Sequence, residues 1–415
     1  MKIWIFNHYA IAPGTSGITR HYDLAKELVK LGCDVTIFAS SFDHQMRKEI
    51  HIHDDKTNAL TEEYSGVRFV WVKTPPYQKN DFRRVKNMIA YTIRAYREAM
   101  NSDVRPDVCI GSLMHPLAAL LGYFVASKKK SKYFFEERDL WPQSLIDLGK
   151  VSEKNPIVWL LSKLEMFLFR KADKIVILFD KAKGYIEQKG IDSKKIIYLP
   201  NGADIERYGN DIEPVELTDE LNQTFSSLKG KFIAVYTGTI GVANNLDAVL
   251  DAASILKNQG FNEIHFLLIG NGAEKSRLEK RKVNEELDNV TFLPPVRKEI
   301  IPTILSKVNV GLLPLQDSPI FKWGISPNKM FDYMAASIPT ILLCDLEGTP
   351  LEKAEGGSII KNNFGDNLAK QLIFYASDKE HTKLVGIKAR RYVEKHHTWS
   401  KLSKDFYQVI KENIT

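Results

Sequence analysis

Short apolar runs alternate with helical patterns along almost the whole chain, and no other feature narrows the fold as far. In the first half, Lys2–Asn7, Asp34–Ala39, Val67–Val72, Asp107–Gly111, Lys132–Glu136, Lys174–Phe179 and Ile196–Leu199 read as strands. Thr19–Lys30, Arg83–Met100 and Pro116–Ser127 read as helices between them. A second series follows, with strands Phe232–Thr237, Ile264–Ile269, Val290–Leu293, Val310–Leu313 and Thr340–Leu343, and helices Leu246–Lys257, Glu274–Glu286 and Asn328–Ala336. Continuous apolar strands separated by helices belong to parallel sheets with crossover connections. The expectation is an α/β chain of two Rossmann-like domains, residues 1–205 and 206–395. Residues 396–415 follow as a helix whose packing partner the sequence leaves open. Asn201–Leu228, rich in Asp, Glu, Pro and Asn, reads as the hinge, and a crevice between the domains is the expected ligand site.

Composition removes several classes of function. Of 415 residues, 44% are apolar and 26% charged, the balance of an ordinary globular protein. No run reaches the ~18–20 apolar residues of a membrane span. The longest, Ile157–Phe169, is broken by Lys163 and Glu165. Cys33, Cys109 and Cys344 lie too far apart for a disulfide framework or a metal site, which favours a reducing, cytoplasmic compartment. The formal charge of +7 suits an anionic small molecule, a phospholipid surface or a nucleic acid. The last ranks low, because no zinc-finger, helix-turn-helix or RNP pattern is present.

Chemistry concentrates in loops that open helices. Pro13–Arg20 follows the first strand. Its small residues let backbone approach a ligand, and a helix N-terminus offers N–H groups to an anion. It lacks the dinucleotide fingerprint and the P-loop ending, and a plain βα turn explains it equally well. The device recurs at Thr237-Gly238-Thr239-Ile240-Gly241 and at Gly270-Asn271-Gly272-Ala273-Glu274-Lys275. Lys275 opposes the helix dipole by ~0.3–1 kcal/mol, a cost that a bound phosphate offsets; a solvated surface lysine is the alternative. The strongest case is Ser326-Pro327-Asn328-Lys329-Met330-Phe331-Asp332. Ser326 suits the N-cap and Pro327 the first turn. Lys329 and Asp332 are three apart and share a helix face, so one can hold a phosphate and the other a ribose. An exposed Lys–Asp pair is the plain reading.

In order and spacing, these loops resemble the retaining family 4 glycosyltransferases that build bacterial O-antigen and capsular polysaccharides. Arg20-His21-Tyr22-Asp23, Glu137-Arg138-Asp139-Leu140-Trp141-Pro142 and Leu199-Pro200-Asn201-Gly202 extend the likeness along the chain. The resemblance implies a GT-B fold, no metal and no cofactor beyond a nucleotide diphosphate sugar. That substrate is expected to be a UDP-sugar carrying an N-acetylated or deoxy-hexosamine. It implies donor binding by the C-terminal domain, through Gly238, Thr239, Lys275, Asn328, Lys329 and Asp332, with Gly17 near the diphosphate. His115 matches a position beside the donor sugar, and Asp139 is a candidate acceptor contact; these two are the catalytic candidates. The acceptor is expected to be a lipid-linked or free saccharide, bound by the N-terminal domain. Gly324 stands eight residues before Asp332, where the family motif has its first glutamate. That departure keeps a non-catalytic nucleotide-sugar-binding protein open as an alternative, alongside a sugar-nucleotide epimerase. Arg83–Met100 reads as a basic amphipathic helix, with Val85, Met88, Ile89, Ile93, Tyr96 and Met100 on one side. It either packs on the sheet or rests on an anionic membrane.

Overall fold

The apolar runs form parallel strands because each is covered on both faces by helices. The computed structural model describes residues 1–415 other than 16, 18, 80, 150, 210–214, 317 and 415. It divides into two units. Unit 1 comprises Met1–Pro200, Pro319–Ile325 and Trp399–Thr415; unit 2 comprises Asn201–Ser318 and Ser326–Thr398. Ser16 and Ile18 of the first glycine loop, and 210–214 of the stretch read as a hinge, lie outside the described residues.

The main sheet of unit 1 holds β1 (Lys2–Phe6), β2 (Asp34–Ser40), β3 (Ala59–Tyr64), β4 (Val67–Val72), β5 (Val108–Ser112), β6 (Lys132–Glu137), β7 (Lys174–Ile177) and β8 (Ile196–Tyr198). They lie in the order β8-β7-β6-β5-β1-β2-β4-β3. All pairs are parallel except β3 with β4. Strand β1 sits between β2 and β5, with Ile3 opposite both Val35 and Val108. The order of strands therefore reverses at β1. In open α/β sheets, ligands bind beyond the carboxyl ends of the strands at such a point.

Helix α1 (Arg20–Lys30) covers one face of this sheet with Tyr22, Leu24, Ala25 and Leu28. Helices α2 (Phe82–Asn101), α3 (Pro116–Lys129) and α4 (Pro156–Lys171) cover the other. The structure turns α2 differently from the sequence pattern. Its buried side is Asn87, Tyr91, Ala95 and Ala99, and Phe82, Val85, Ile89 and Ile93 face outward. Two alanines allow close approach to the sheet, and the Tyr91 hydroxyl donates to the Phe38 carbonyl at 2.8 Å.

Unit 2 holds β9 (Phe232–Thr237), β10 (Ile264–Ile269), β11 (Val290–Leu293), β12 (Val310–Pro314), β13 (Thr340–Leu343) and β14 (Gly357–Ile360). Their order is β11-β10-β9-β12-β13-β14, all parallel, so this sheet reverses at β9. Helix α5 (Leu246–Asn258) follows β9, and α6 (Lys275–Asn284) follows β10. Helix α7 (Asn328–Ala335) precedes β13, and α8 (Phe364–Ser377) and α9 (Lys379–His396) complete the unit. The N-cap of α7 is Pro327, one residue later than the pattern predicts. Ser326 serves elsewhere, its hydroxyl accepting from the Asn201 N–H at 2.9 Å.

The terminal helix α10 (Trp399–Ile414) belongs to unit 1. Trp399, Leu402, Phe406 and Ile410 recur at helical spacing and pack beside α1 in one apolar cluster. The Ser403 hydroxyl donates to the Leu24 carbonyl at 3.3 Å.

Candidate functional site

At the reversal point of unit 1, β1 delivers Asn7, His8 and Tyr9, and β5 leads to His115 at the N-cap of α3. His115 is buried, and its Nε2 lies 2.8 Å from His8 Nδ1. The His8 ring is stacked between Tyr9 (centroids 4.4 Å apart) and Tyr91 (4.3 Å). His44 stacks on the far side of Tyr9 at 4.4 Å. From α2, the Arg84 guanidinium lies 5.8 Å from the Tyr9 ring centroid. Burial and the neighbouring Arg84 charge lower the His115 pKa to about 3 and that of His44 to about 4. Burial, with His115, His44 and Arg84 nearby, holds His8 well below its usual range. The rings are thus neutral near pH 7, and Arg84 is the cation of the cluster.

Beside it, Glu136 at the end of β6 is buried and fully engaged. It accepts from Arg20 Nε at 3.1 Å, His21 Nε2 at 2.7 Å and Ser112 Oγ at 2.6 Å. The Arg20 guanidinium also donates to the Pro200 and Leu199 carbonyls, at 2.7 and 2.8 Å. This network ties α1 to β5, β6 and the end of β8. Its carboxylate and its guanidinium are both paired inside the fold, which suits a structural role. Gly17 lies against Ile11 of its own loop and Gln45 of the turn after β2. Asp139 is exposed, and the turn it precedes is held instead by Glu137, which accepts from the Trp141 N–H at 3.3 Å.

In unit 2, the loop after β9 and the start of α7 meet. Lys329 points its ammonium over the Tyr236 ring, 3.9 Å from the centroid, and 3.0 Å from where a side chain on Gly238 would begin. It has no carboxylate or carbonyl partner among the described residues, and burial pulls its pKa down to about 7. Gly238 and Thr239 are exposed. Behind them, a side chain on Gly270 would begin 1.8 Å from the Gly238 carbonyl, and one on Gly272 2.1 Å from that of Ile240. Those two glycines serve the approach of one loop to the other, rather than that of a ligand. Lys275 is likewise committed: its ammonium donates to the carbonyls of Gly270 at 3.1 Å and Leu293 at 3.0 Å. Asn328, the first residue of α7, is half-buried. One turn on, Asp332 accepts from the Tyr208 hydroxyl at 2.8 Å. Within unit 2, then, Gly238, Thr239, Asn328, Lys329 and Asp332 gather around the β9 loop and α7, with Lys275 behind.

Gly324 lies in the segment that joins unit 1. Its φ of +101° is one that side-chain-bearing residues rarely adopt, and a side chain would meet Phe179 and Asp180. Trp323 beside it donates to Asp147 at 3.0 Å. A glutamate at 324 would strain this turn. The sequence reading missed His8, Arg84, Asn87, Tyr208 and Tyr236. A histidine one residue past the first strand was the available signal for His8.

Two family models match this arrangement: "Glycosyl transferase 4-like domain" over residues 16–202 and "Glycosyl transferases group 1" over residues 231–378. Between them they span more than half of the chain. It is a glycosyltransferase of the GT-B type. This glycosyltransferase is 23% identical over 217 residues to the probable glycosyltransferase WbjE of Pseudomonas aeruginosa, covering 52% of this chain and 51% of that one. It is 22% identical over 246 residues to the putative colanic acid biosynthesis glycosyl transferase WcaI of Escherichia coli, covering 58% and 59%. The matches thus span about half to three-fifths of the length of these relatives. Among solved structures, sucrose-phosphate synthase from Thermosynechococcus elongatus superposes with a TM-score of 0.74 at 15% identity, over 99% of this chain and 98% of that one. Anabaena Alr3699/HepE in complex with UDP-glucose gives 0.69 at 11% identity, over 99% and 100%. No helix among the described residues is long and apolar enough to cross a membrane.

Proposed function

We propose that this glycosyltransferase moves a hexosyl or hexosaminyl group, with retention, from a UDP-sugar to a lipid-linked saccharide. The reading assigns the donor to unit 2 and the acceptor to unit 1. The observation that carries it is Lys329, a half-buried ammonium held beside an exposed glycine turn with no anion to pair with among the described residues. Cleavage of the anomeric bond leaves negative charge on the nucleotide diphosphate. A preorganised cation aimed at that charge stabilises the transition state more than the ground state. In this reading Asp332, one helical turn on, accepts from the ribose hydroxyls as well as from Tyr208. A fold neighbour crystallised with UDP-glucose favours the same donor class. Glu136, held by three donors, makes a poor nucleophile, so the reading routes no covalent sugar–enzyme intermediate through it.

The lipid-linked acceptor rests on the outer surface of the α2, α3 and α4 layer. Phe82, Val85, Ile89 and Ile93 on α2, Phe124 on α3, and Ile157, Trp159 and Leu160 on α4 are all exposed. Arg83, Lys86, Arg97 and Lys163 are exposed on α2 and α4. Apolar side chains interspersed with cations suit an anionic bilayer, each cation near its surface contributing ~1 kcal/mol.

Incubation with UDP-hexoses and a lipid diphosphate-linked sugar tests the reaction. UDP release that depends on the acceptor, with the product keeping the donor's anomeric configuration by NMR, is the expected result. An inverted product removes retention; donor binding without UDP release leaves a non-catalytic binding protein. Flotation should favour anionic over neutral liposomes and fade with salt. Equal, salt-insensitive flotation sinks the membrane contact.

A further inference from the structure

Two lysines of unit 2 stand beside glycine turns, and among the described residues only Lys275 meets carbonyls, those of Gly270 and Leu293. The Lys329 ammonium lies 3.0 Å from where a side chain on Gly238 would begin, so the turn Gly238–Gly241 is the backbone beside it. Every carbonyl of that turn is occupied or turned elsewhere. That of Gly238 faces Gly270, where a side chain would begin 1.8 Å away. The Thr239 oxygen accepts from the Tyr236 hydroxyl at 2.5 Å and from Asn244 Nδ2 at 2.9 Å, which fills both of its lone pairs. The Ile240 oxygen accepts from the Glu274 N–H at 3.1 Å, and that of Gly241 from the Asn244 N–H at 2.9 Å. Tyr236 is thus present twice. Its hydroxyl takes a carbonyl of the turn, and its ring, buried in the core of unit 2, lies under the ammonium with 3.9 Å from Nζ to the centroid. A ring face attracts a cation without supplying a lone pair.

We propose that Tyr236 is a positioning residue for Lys329: its ring seats the ammonium and its hydroxyl closes the Thr239 carbonyl to it, which keeps the charge for a diphosphate oxygen. That the anion is a diphosphate rests on the glycosyltransferase reading; the seating of the lysine does not. A lysine bonded to a carbonyl gives up that hydrogen bond when it turns to a phosphate, whereas one seated on a ring has no such bond to lose. Asn244 is exposed and its amide can turn away, but the Tyr236 ring is fixed by the strand it belongs to, so the tyrosine is the lasting part of the device.

Carbon-13 NMR of the full chain with labelled lysine reads the seating without any ligand, the Lys329 signal being identified by its loss in Lys329→Met. The ring current of Tyr236 should place the Lys329 Cε protons upfield of the other lysines, and Tyr236→Leu should bring them back. Tyr236→Phe keeps the ring and the packing of β9, so it serves even where Tyr236→Leu does not fold. It frees one lone pair on the Thr239 oxygen for the ammonium, and the Lys329 titration midpoint should rise. A midpoint unmoved in Tyr236→Phe, or Cε protons unmoved in a folded Tyr236→Leu, overturns the proposal. Calorimetry with UDP and with uridine reads the use of the charge. Tyr236→Leu should weaken UDP about tenfold, the scale of a desolvated cation–π contact, and leave uridine unchanged. In the Lys329→Met background the same substitution should cost nothing further. An equal loss in both backgrounds means that Tyr236 only packs, and overturns the proposal. If the NMR shifts move as expected while Lys329→Met binds UDP like the parent, the diphosphate assignment fails and the seating stands.

Discussion

Arg20 and Lys329 are both cations withdrawn from water, one in each unit, and the protein treats them in opposite ways. Arg20 meets a carboxylate and two carbonyls, so its charge is satisfied within the fold. Lys329 meets an aromatic face and a glycine turn, and no carboxylate or carbonyl among the described residues answers its charge. Removing water from a charge is costly, and a fold that needed Lys329 only for stability would do better with an apolar residue. The contrast separates a cation that holds structure from one held ready for an anion.

Glu136→Gln gives the largest expected effect, because it strands the buried Arg20 charge. Denaturation should show a loss of ~3–5 kcal/mol. Affinity for UDP, measured where the variant stays folded, should be unchanged; a stability change below that of an ordinary surface substitution would place Arg20 outside the structural class. Lys329→Met should do the reverse. Stability should hold or rise, while UDP affinity falls ~10–100-fold, the scale of one charge-assisted hydrogen bond. Uridine, which lacks the phosphates, should bind both forms alike. Equal UDP affinity in variant and parent would break the comparison outright.

The pH dependence sharpens it. The Lys329 pKa of about 7 means that the free protein loses this charge as pH rises through neutrality. UDP-glucose affinity should therefore decline above pH 7, by at most about tenfold per pH unit, and the decline should vanish in Lys329→Met. In unit 1 the sign is opposite. His8, His44 and His115 have folded pKa values below the ~6.5 of an unfolded chain. The unfolded chain takes up protons first, so stability falls with pH from about 6.5 downwards and is retained above it. A melting temperature constant between pH 6.5 and 4.5 would contradict those buried neutral rings. The smallest effect concerns Asp332: Tyr208→Phe should cost ~0.5–1.5 kcal/mol of stability. It should leave discrimination between ribose and dideoxyribose donors intact if Asp332 serves the ligand.

Most strands were legible because both their faces are buried, which writes an unbroken apolar run into the sequence. Strand β3 was not, since Ala-Leu-Thr-Glu-Glu-Tyr is an edge strand with one face in solvent. The apolar side of α2 was legible, but not which side faces the sheet. Asn87, Ala95 and Ala99 bury well only because of what they touch. Lys329 could be singled out because its helix start is local in sequence. His8 could not, because its meaning depends on β1 lying beside β5, a pairing across about a hundred residues that no local pattern announces. Lys275 shows the converse: a well-placed lysine in a glycine turn whose ammonium bonds to the protein's own carbonyls.

Helix α10 sets an order of events during synthesis. The first 200 residues leave the ribosome long before Trp399, Leu402, Phe406 and Ile410, yet those four complete the apolar cluster beside α1. Until the last segment emerges, the nascent first unit carries an uncovered greasy face, the kind of surface that chaperones bind and that aggregates. A fragment ending at Pro200 should therefore be poorly soluble alone. Supplying residues 399–415 as a separate peptide should rescue it, and so would moving that helix to the front of the gene by circular permutation.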